Sequence, residues 1–162
     1  MSKQTSSDGP SYCRHCNAQI PPRTATADAL IELYDDAGSY RGIVLIDRAN
    51  PPTGWAIPGG FLDPDEDMAR CACREAAEET GLQVELIGLL GIYSAPGRDP
   101  RALTVTAVYV ARATGTPKAA DDAREVAVVD PENPPHPIAF DHAAIIADYC
   151  AWRRGERSLA TP

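Results

Sequence analysis

Residues 73 to 82 read CREAAEETGL, and within them Glu75, Glu78 and Glu79 stand at i, i+3 and i+4 just ahead of Gly81. On a helix that spacing puts the three carboxylates on one face. Like charges repel there, and the end of a helix carries the negative pole of its dipole. Each effect costs a few tenths to ~1 kcal/mol. A face kept only for solubility would normally carry lysine, although a solvated acidic face is the bland alternative. Divalent cations would neutralise the cluster. Hard oxygen donors without Cys or His partners point to Mg²⁺ or Mn²⁺ rather than zinc.

Several elements must position this face. Asp63 to Asp67 supply acidic residues and a proline before the helix, and Gly81 stops it. Upstream, TADALIELYD (26–35) and YRGIVLIDR (40–48) read as a hairpin around Asp36 to Ser39, followed by the loop ANPPTG and a short strand, WAIPGGFL. Downstream, LQVELIGLLGIYS and ALTVTAVYVAR are strand-like and flank APGRDPR; TGTPKAADDAR is a loop and EVAVVD a further strand. After PENPPHP comes a helix from His142 to about Arg153, with Asp141 placed as N-cap and Phe140 and Ile145 spaced as a hydrophobic staple. Strands outnumber helices, and the mixture predicts an α/β layered sandwich around a mixed sheet. The organisation expected is a flexible N-terminal segment over 1–25, one domain over 26–155 and a C-terminal tail over 156–162.

At 162 residues, with 44% apolar and 23% charged residues, the chain can close one core. The net charge of −8 argues against nucleic acid or an anionic membrane held by bulk electrostatics. No stretch is long and apolar enough to span a bilayer and no signal-peptide core is evident, so the expectation is cytoplasmic. The 5 cysteines form no even disulfide framework. Cys13 and Cys16 make half of a zinc ribbon, and no second Cys-x2-Cys exists to complete four ligands. The pair is either a remnant or a zinc site completed by His15 or a second subunit. Cys71, Cys73 and Cys150 suit helix packing better than nucleophilic roles.

From Gly60 to Leu82 the chain reads GFLDPDEDMARCACREAAEETGL. This resembles the Nudix box, Gly-x5-Glu-x7-Arg-Glu-U-x-Glu-Glu-x-Gly-U, where U is apolar. Gly60, Glu66, Arg74, Glu75, Glu78, Glu79, Gly81 and Leu82 fall in register, and Ala76 fills the first U with a residue smaller than the usual aliphatic. The resemblance implies a Nudix-fold α/β/α sandwich with a mixed sheet and a loop–helix–loop that holds Mg²⁺ against a pyrophosphate. Glu75, Glu78 and Glu79 would be the metal ligands. Glu66, Arg74 and Gly81 would be structural, with Arg74 tying loop to helix through an ion pair, and Gly60 and Gly81 would allow turns that a Cβ hinders. Water then attacks phosphorus, with Glu78 and Glu79 among the catalytic groups and the base either Glu79 or an acid of a later loop. Of Asp121, Asp122 and Glu125, the favoured candidates are Glu125 and Asp122.

The segment YSAPGRDPRALTV (93–105) bears on the substrate. In this family a proline about fifteen residues past the box is associated with ADP-ribose pyrophosphatases, and Pro96 lies near that offset. The resemblance therefore implies hydrolysis of ADP-ribose to AMP and ribose 5-phosphate, with Gly60, Pro96, Arg98 and Arg101 as substrate-binding residues and a homodimer as the assembly. Arg98 and Arg101 bracket Asp99 and either clamp phosphate or fix the loop as an Arg–Asp turn. Hydrolysis of another nucleotide, or nucleotide sensing without turnover, are the other readings. The pattern of NADH pyrophosphatases is absent. Little chain follows Asp130 from which to build the winged helix of related regulators. Trp55, Tyr93 and Phe140 are candidates to stack a base or fill the core. Arg41 and Arg48 read as surface charge, His142 as first-turn structure, and His136 has no evident partner.

Overall fold

A computed structural model of the chain describes residues 11–12, 15–16, 19–20, 22–120 and 123–160. Cys13, Asp121 and Asp122, named above as candidates, lie outside the described residues. The elements are β1 (Ser11–Tyr12), β2 (Gln19–Ile20), β3 (Thr24–Tyr34), β4 (Tyr40–Arg48), β5 (Gly54–Ala56), β6 (Gly59–Phe61), α1 (Met68–Thr80), β7 (Glu85–Tyr93), β8 (Thr104–Thr114), β9 (Ala123–Val129) and α2 (His142–Arg153). β1 and β2 form an antiparallel pair of their own. Among the described residues no helix is long and apolar enough to cross a membrane.

β3 is the spine of the mixed sheet. One edge runs parallel to β8 along its whole length, and parallel neighbours require a crossover, which here carries α1. The other edge is shared: Thr26 to Asp28 pair with β6, and Glu32 to Tyr34 pair with β4. β4 then pairs with β5 and β9, and β7 lies beyond β8. The segment WAIPGGFL, expected as one strand, therefore divides. β5 goes to β4 and β6 to β3, with Ile57 and Pro58 between them.

Side chains alternate across β3, so Ala27, Ala29, Ile31 and Leu33 face α1 while Leu30 faces α2. Alanines of β3 and β8 meet Cys71, Ala72 and Ala76 of α1 in one cluster, so the small residue at position 76 fits a surface built of small residues. α2 seals the other face through Ile145, Ile146 and Tyr149. The α/β/α layering with a mixed sheet matches the expected fold class. Asp141 departs from expectation, because its side chain makes no capping hydrogen bond to α2. Phe140 and Ile145 do not share a cluster either: Phe140 packs with Ile46, Ala56 and Ala139. The segment set aside as a C-terminal tail pairs with β7, exchanging backbone hydrogen bonds between Leu89 and Ala160 at 2.8 and 3.0 Å.

Candidate active site

α1 is delimited by local chemistry. The Asp67 carboxylate caps it by accepting the Arg70 N–H at 2.8 Å, and Gly81 ends it in the left-handed region at φ 69°. Between these ends Arg74 gathers the acids. It donates to Glu66 at 2.5 and 3.1 Å, to Glu75 Oε1 at 2.8 Å, to Glu78 Oε2 at 2.9 Å and to the Phe61 carbonyl at 3.0 Å. The guanidinium holds the Glu66 carboxyl down to about 2, well below the usual range. Gly60 lies against the Glu75 carboxylate, which a Cβ at that position would strike. The expected turn is thus a close approach, with no positive φ at Gly60.

Glu79 is buried, and its Oε2 accepts the Gly59 N–H at 3.0 Å. Burial pushes its carboxyl up to about 8, with the Glu75 and Asp28 carboxyls adding to the rise. Burial raises Glu75 as well. Both glutamates line a cavity of about 330 Å³, whereas Glu78 stands outside it with its side chain 49% exposed.

The strands and the β7–β8 loop supply the rest of this cavity. Asp28 of β3 reaches it, its Oδ2 accepting the Thr106 hydroxyl of β8 at 2.5 Å. Burial pushes Asp28 up to about 7. Arg98, also buried, binds both Asp141 oxygens at 2.8 and 2.9 Å and the Thr104 hydroxyl at 3.0 Å. Asp141 therefore serves the loop and not the helix end. Arg101 forms the Arg–Asp turn, with Asp99 at 2.9 and 3.0 Å, and its guanidinium lies 5.4 Å from the Phe61 ring and 5.1 Å from that of Phe140. His142 joins the cavity wall and accepts the buried Ile57 N–H on Nδ1 at 3.0 Å. Burial and the cations Arg98 and Arg48 push it down to about 3, so near neutral pH it is uncharged and carries its proton on Nε2.

The remaining candidates lie elsewhere. Pro96 is exposed and does not line the cavity. Glu125 belongs to β9 and not to a loop, exposed and opposite Asp47, because that strand starts at Ala123. Cys16 is exposed, and Cys71 is buried with its thiol against the Gly60 and Phe61 carbonyls. Asp28 and Thr106 escaped the sequence reading. The available signal was a pair of acids, Asp28 and Glu32, at even positions of a strand whose odd positions are all apolar.

The acidic wall fits a hard divalent cation by donor chemistry, since its side-chain donors are carboxylate oxygens. Among the described residues no three acidic, His or Cys side chains stand together as a ready-made cage. Arg74 Nη1 lies between Glu75 and Glu78, bonded to both.

Comparison with known proteins agrees with this geometry. The NUDIX domain model matches residues 23–149. An ADP-ribose pyrophosphatase of Methanocaldococcus jannaschii is 43% identical over 116 residues, 70% of this chain and 68% of that protein. The ADPR responsive transcriptional repressor NtrR of Acinetobacter baylyi is 33% identical over 65% of this chain, which spans only 43% of the repressor's length. The NUDIX domain of Shewanella oneidensis NrtR, solved with ADP ribose, superposes with a TM-score of 0.69 at 26% identity, over 83% of this chain and 90% of that one.

Proposed function

The chain belongs to the Nudix family, and from that premise we propose that it hydrolyses ADP-ribose to AMP and ribose 5-phosphate with Mg²⁺ or Mn²⁺ as cofactor. The observation that carries the reading is the acidic cavity, with Glu75 and Glu79 on its wall and a guanidinium bridging Glu75 to Glu78. The choice of ADP-ribose is supported by the likeness to an ADP-ribose pyrophosphatase and to a domain that binds ADP ribose.

Glu75, Glu78 and Glu79 would hold the cation, which supplies charge neutralisation to the phosphates and acidifies water. Arg74 then keeps Glu66 and the Phe61 carbonyl, so the loop before α1 stays tied while the glutamates exchange partners. Glu79 Oε2 is anchored by the Gly59 N–H, which leaves Oε1 to take the proton of the attacking water; a cation held beside it would offset the burial that raises this carboxyl and keep it ionised for that role. As the water oxygen bonds to phosphorus, the bond to the bridging oxygen breaks, and the two monophosphates separate. Glu125 is exposed on β9, which favours Glu79 as the base.

The test incubates the purified protein and Mg²⁺ with a nucleotide panel. ADP-ribose should be cleaved fastest. Cleavage of a triphosphate with ADP-ribose left intact overturns the specificity, and binding of ADP-ribose without turnover indicates a sensor. Glu79→Gln should lower kcat by roughly 10²- to 10³-fold, and full activity in that variant overturns the assignment of Glu79.

A further inference from the structure

Asp28 sits in a place where folding alone gives no reason for a carboxyl. Its neighbours on the same sheet face are the buried threonines Thr26 and Thr106 on one side and the fully buried, apolar Leu30 and Val108 on the other. Burying a carboxyl without full compensation is costly. The compensation it receives is one hydrogen bond, from Thr106 to Oδ2. Oδ1 accepts none from the described residues, yet no buried side-chain oxygen there is left sealed and unbonded, so Oδ1 opens into the cavity that Asp28 lines.

Arg98 faces the same space with donors to spare. Of the five N–H groups of a guanidinium, three are engaged by Asp141 and Thr104. An acceptor and a fixed set of donors across a small cavity match a sugar hydroxyl, which donates to the carboxyl and accepts from the guanidinium. A phosphate without a cation beside it would suit Arg98 but meet the buried carboxyls Asp28 and Asp99, whereas on the α1 side of the cavity the cation held by the glutamates would neutralise the phosphates. The volume of about 330 Å³ is near the lower end for small-molecule pockets, about 300–1,000 Å³, too small to enclose the whole of a two-ribose substrate. The other half has a surface to rest on at the mouth, where Phe61 is 43% exposed and Arg101 spans it and Phe140.

We propose that Asp28 and Arg98 form a sugar-binding floor, in which Asp28 Oδ1 accepts a hydroxyl of the ribose that bears no base, and that this contact selects a sugar-linked nucleoside diphosphate. The proposal rests on the ADP-ribose reading above. Asp28 acts as a specificity determinant on the far end of the substrate from the base, beside Glu79 on the wall of the same cavity.

The experiment is a cycle between residue and ligand. Wild-type protein and Asp28→Asn are compared on ADP-ribose and on analogues lacking the 2- or the 3-hydroxyl of the base-free ribose. Loss of a hydrogen bond to a charged acceptor should lower kcat/KM roughly 10- to 100-fold for the wild type on one analogue. Asp28→Asn should show that loss already on ADP-ribose and little more on the analogue. Equilibrium binding supplies a second readout: Asp28→Asn should weaken ribose 5-phosphate at least about tenfold and leave AMP within about twofold. Equal losses on every substrate, or equal weakening of both products, overturn the proposal. A wild-type protein inert toward ADP-ribose overturns the functional reading first, and this one with it. Should the asparagine variant fail to fold, Asp28→Thr, matching the threonines around it, takes its place.

Discussion

Asp28 and Glu32 lie on the same strand and the same face of the sheet, and both are nearly sealed from solvent, at 6% and 2% exposure. Their surroundings differ. Glu32 accepts the Tyr149 hydroxyl at 2.8 Å and the Tyr34 hydroxyl at 2.9 Å, with Arg153 at 3.4 Å and Arg112 at 3.5 Å. Asp28 has a single hydroxyl donor and a carboxyl raised to about 7 by burial. The partnered acid links β3 to α2 and β8, and its charge is used up in doing so. The under-partnered acid keeps an oxygen open to the cavity and a proton affinity that solvent would not permit. Burial alone therefore does not separate a structural carboxyl from a functional one; the state of its hydrogen bonds does.

That contrast can be broken in three ways, in falling order of effect. Glu32→Ala should cost about 1–3 kcal/mol of stability, because the buried Tyr149 hydroxyl loses its acceptor while Arg153 keeps access to solvent. Denaturant unfolding measures this, and KM for the substrate should stay unchanged in whatever fraction folds. Asp28→Asn should behave oppositely, losing activity while holding or gaining stability. The sign follows from the raised carboxyl: folding favours the protonated form, so the stability present below pH 3.8 declines as pH rises through about 7. The melting temperatures of variant and wild type should thus coincide near pH 4 and separate in favour of the variant by pH 8. A gap that is constant across that range would remove the distinction drawn here. The smallest effect belongs to Arg112→Ala, whose side chain is 56% exposed and whose loss should cost under ~1 kcal/mol.

Much of the acidic wall was legible because its determinants are local. The Asp67 cap, the Gly81 stop and the Glu75–Glu78–Glu79 face depend on residues within about one helical turn of each other. Gly60 and Glu66 belong to the same short span and answer to Glu75 and Arg74. The bounds of β4 and of helix α2 were also legible, from the turn residues ahead of the apolar run and from the proline-rich stretch ahead of the helix. Remote partners leave no such local trace. Asp141 has the residue type and position of an N-cap, but Arg98, 43 residues earlier, takes both its oxygens. Glu125 opens the expected strand EVAVVD, and its pairing opposite Asp47 in β9 sets it apart from the loop acids with which it was grouped.

By itself, then, the sequence determined which helix carries the acids, where that helix starts and stops, and the family to which the chain belongs. Only the tertiary structure decided what faces those acids. Asp28 meets Thr106 across 78 residues, and His142 meets Ile57 across 85. Those contacts exist because β8 pairs parallel to β3 and α2 docks on the far face of the sheet. Capping and periodicity act through neighbours a few residues away, whereas a cavity between elements is set by long-range pairing and burial, which leave no spacing rule in the chain.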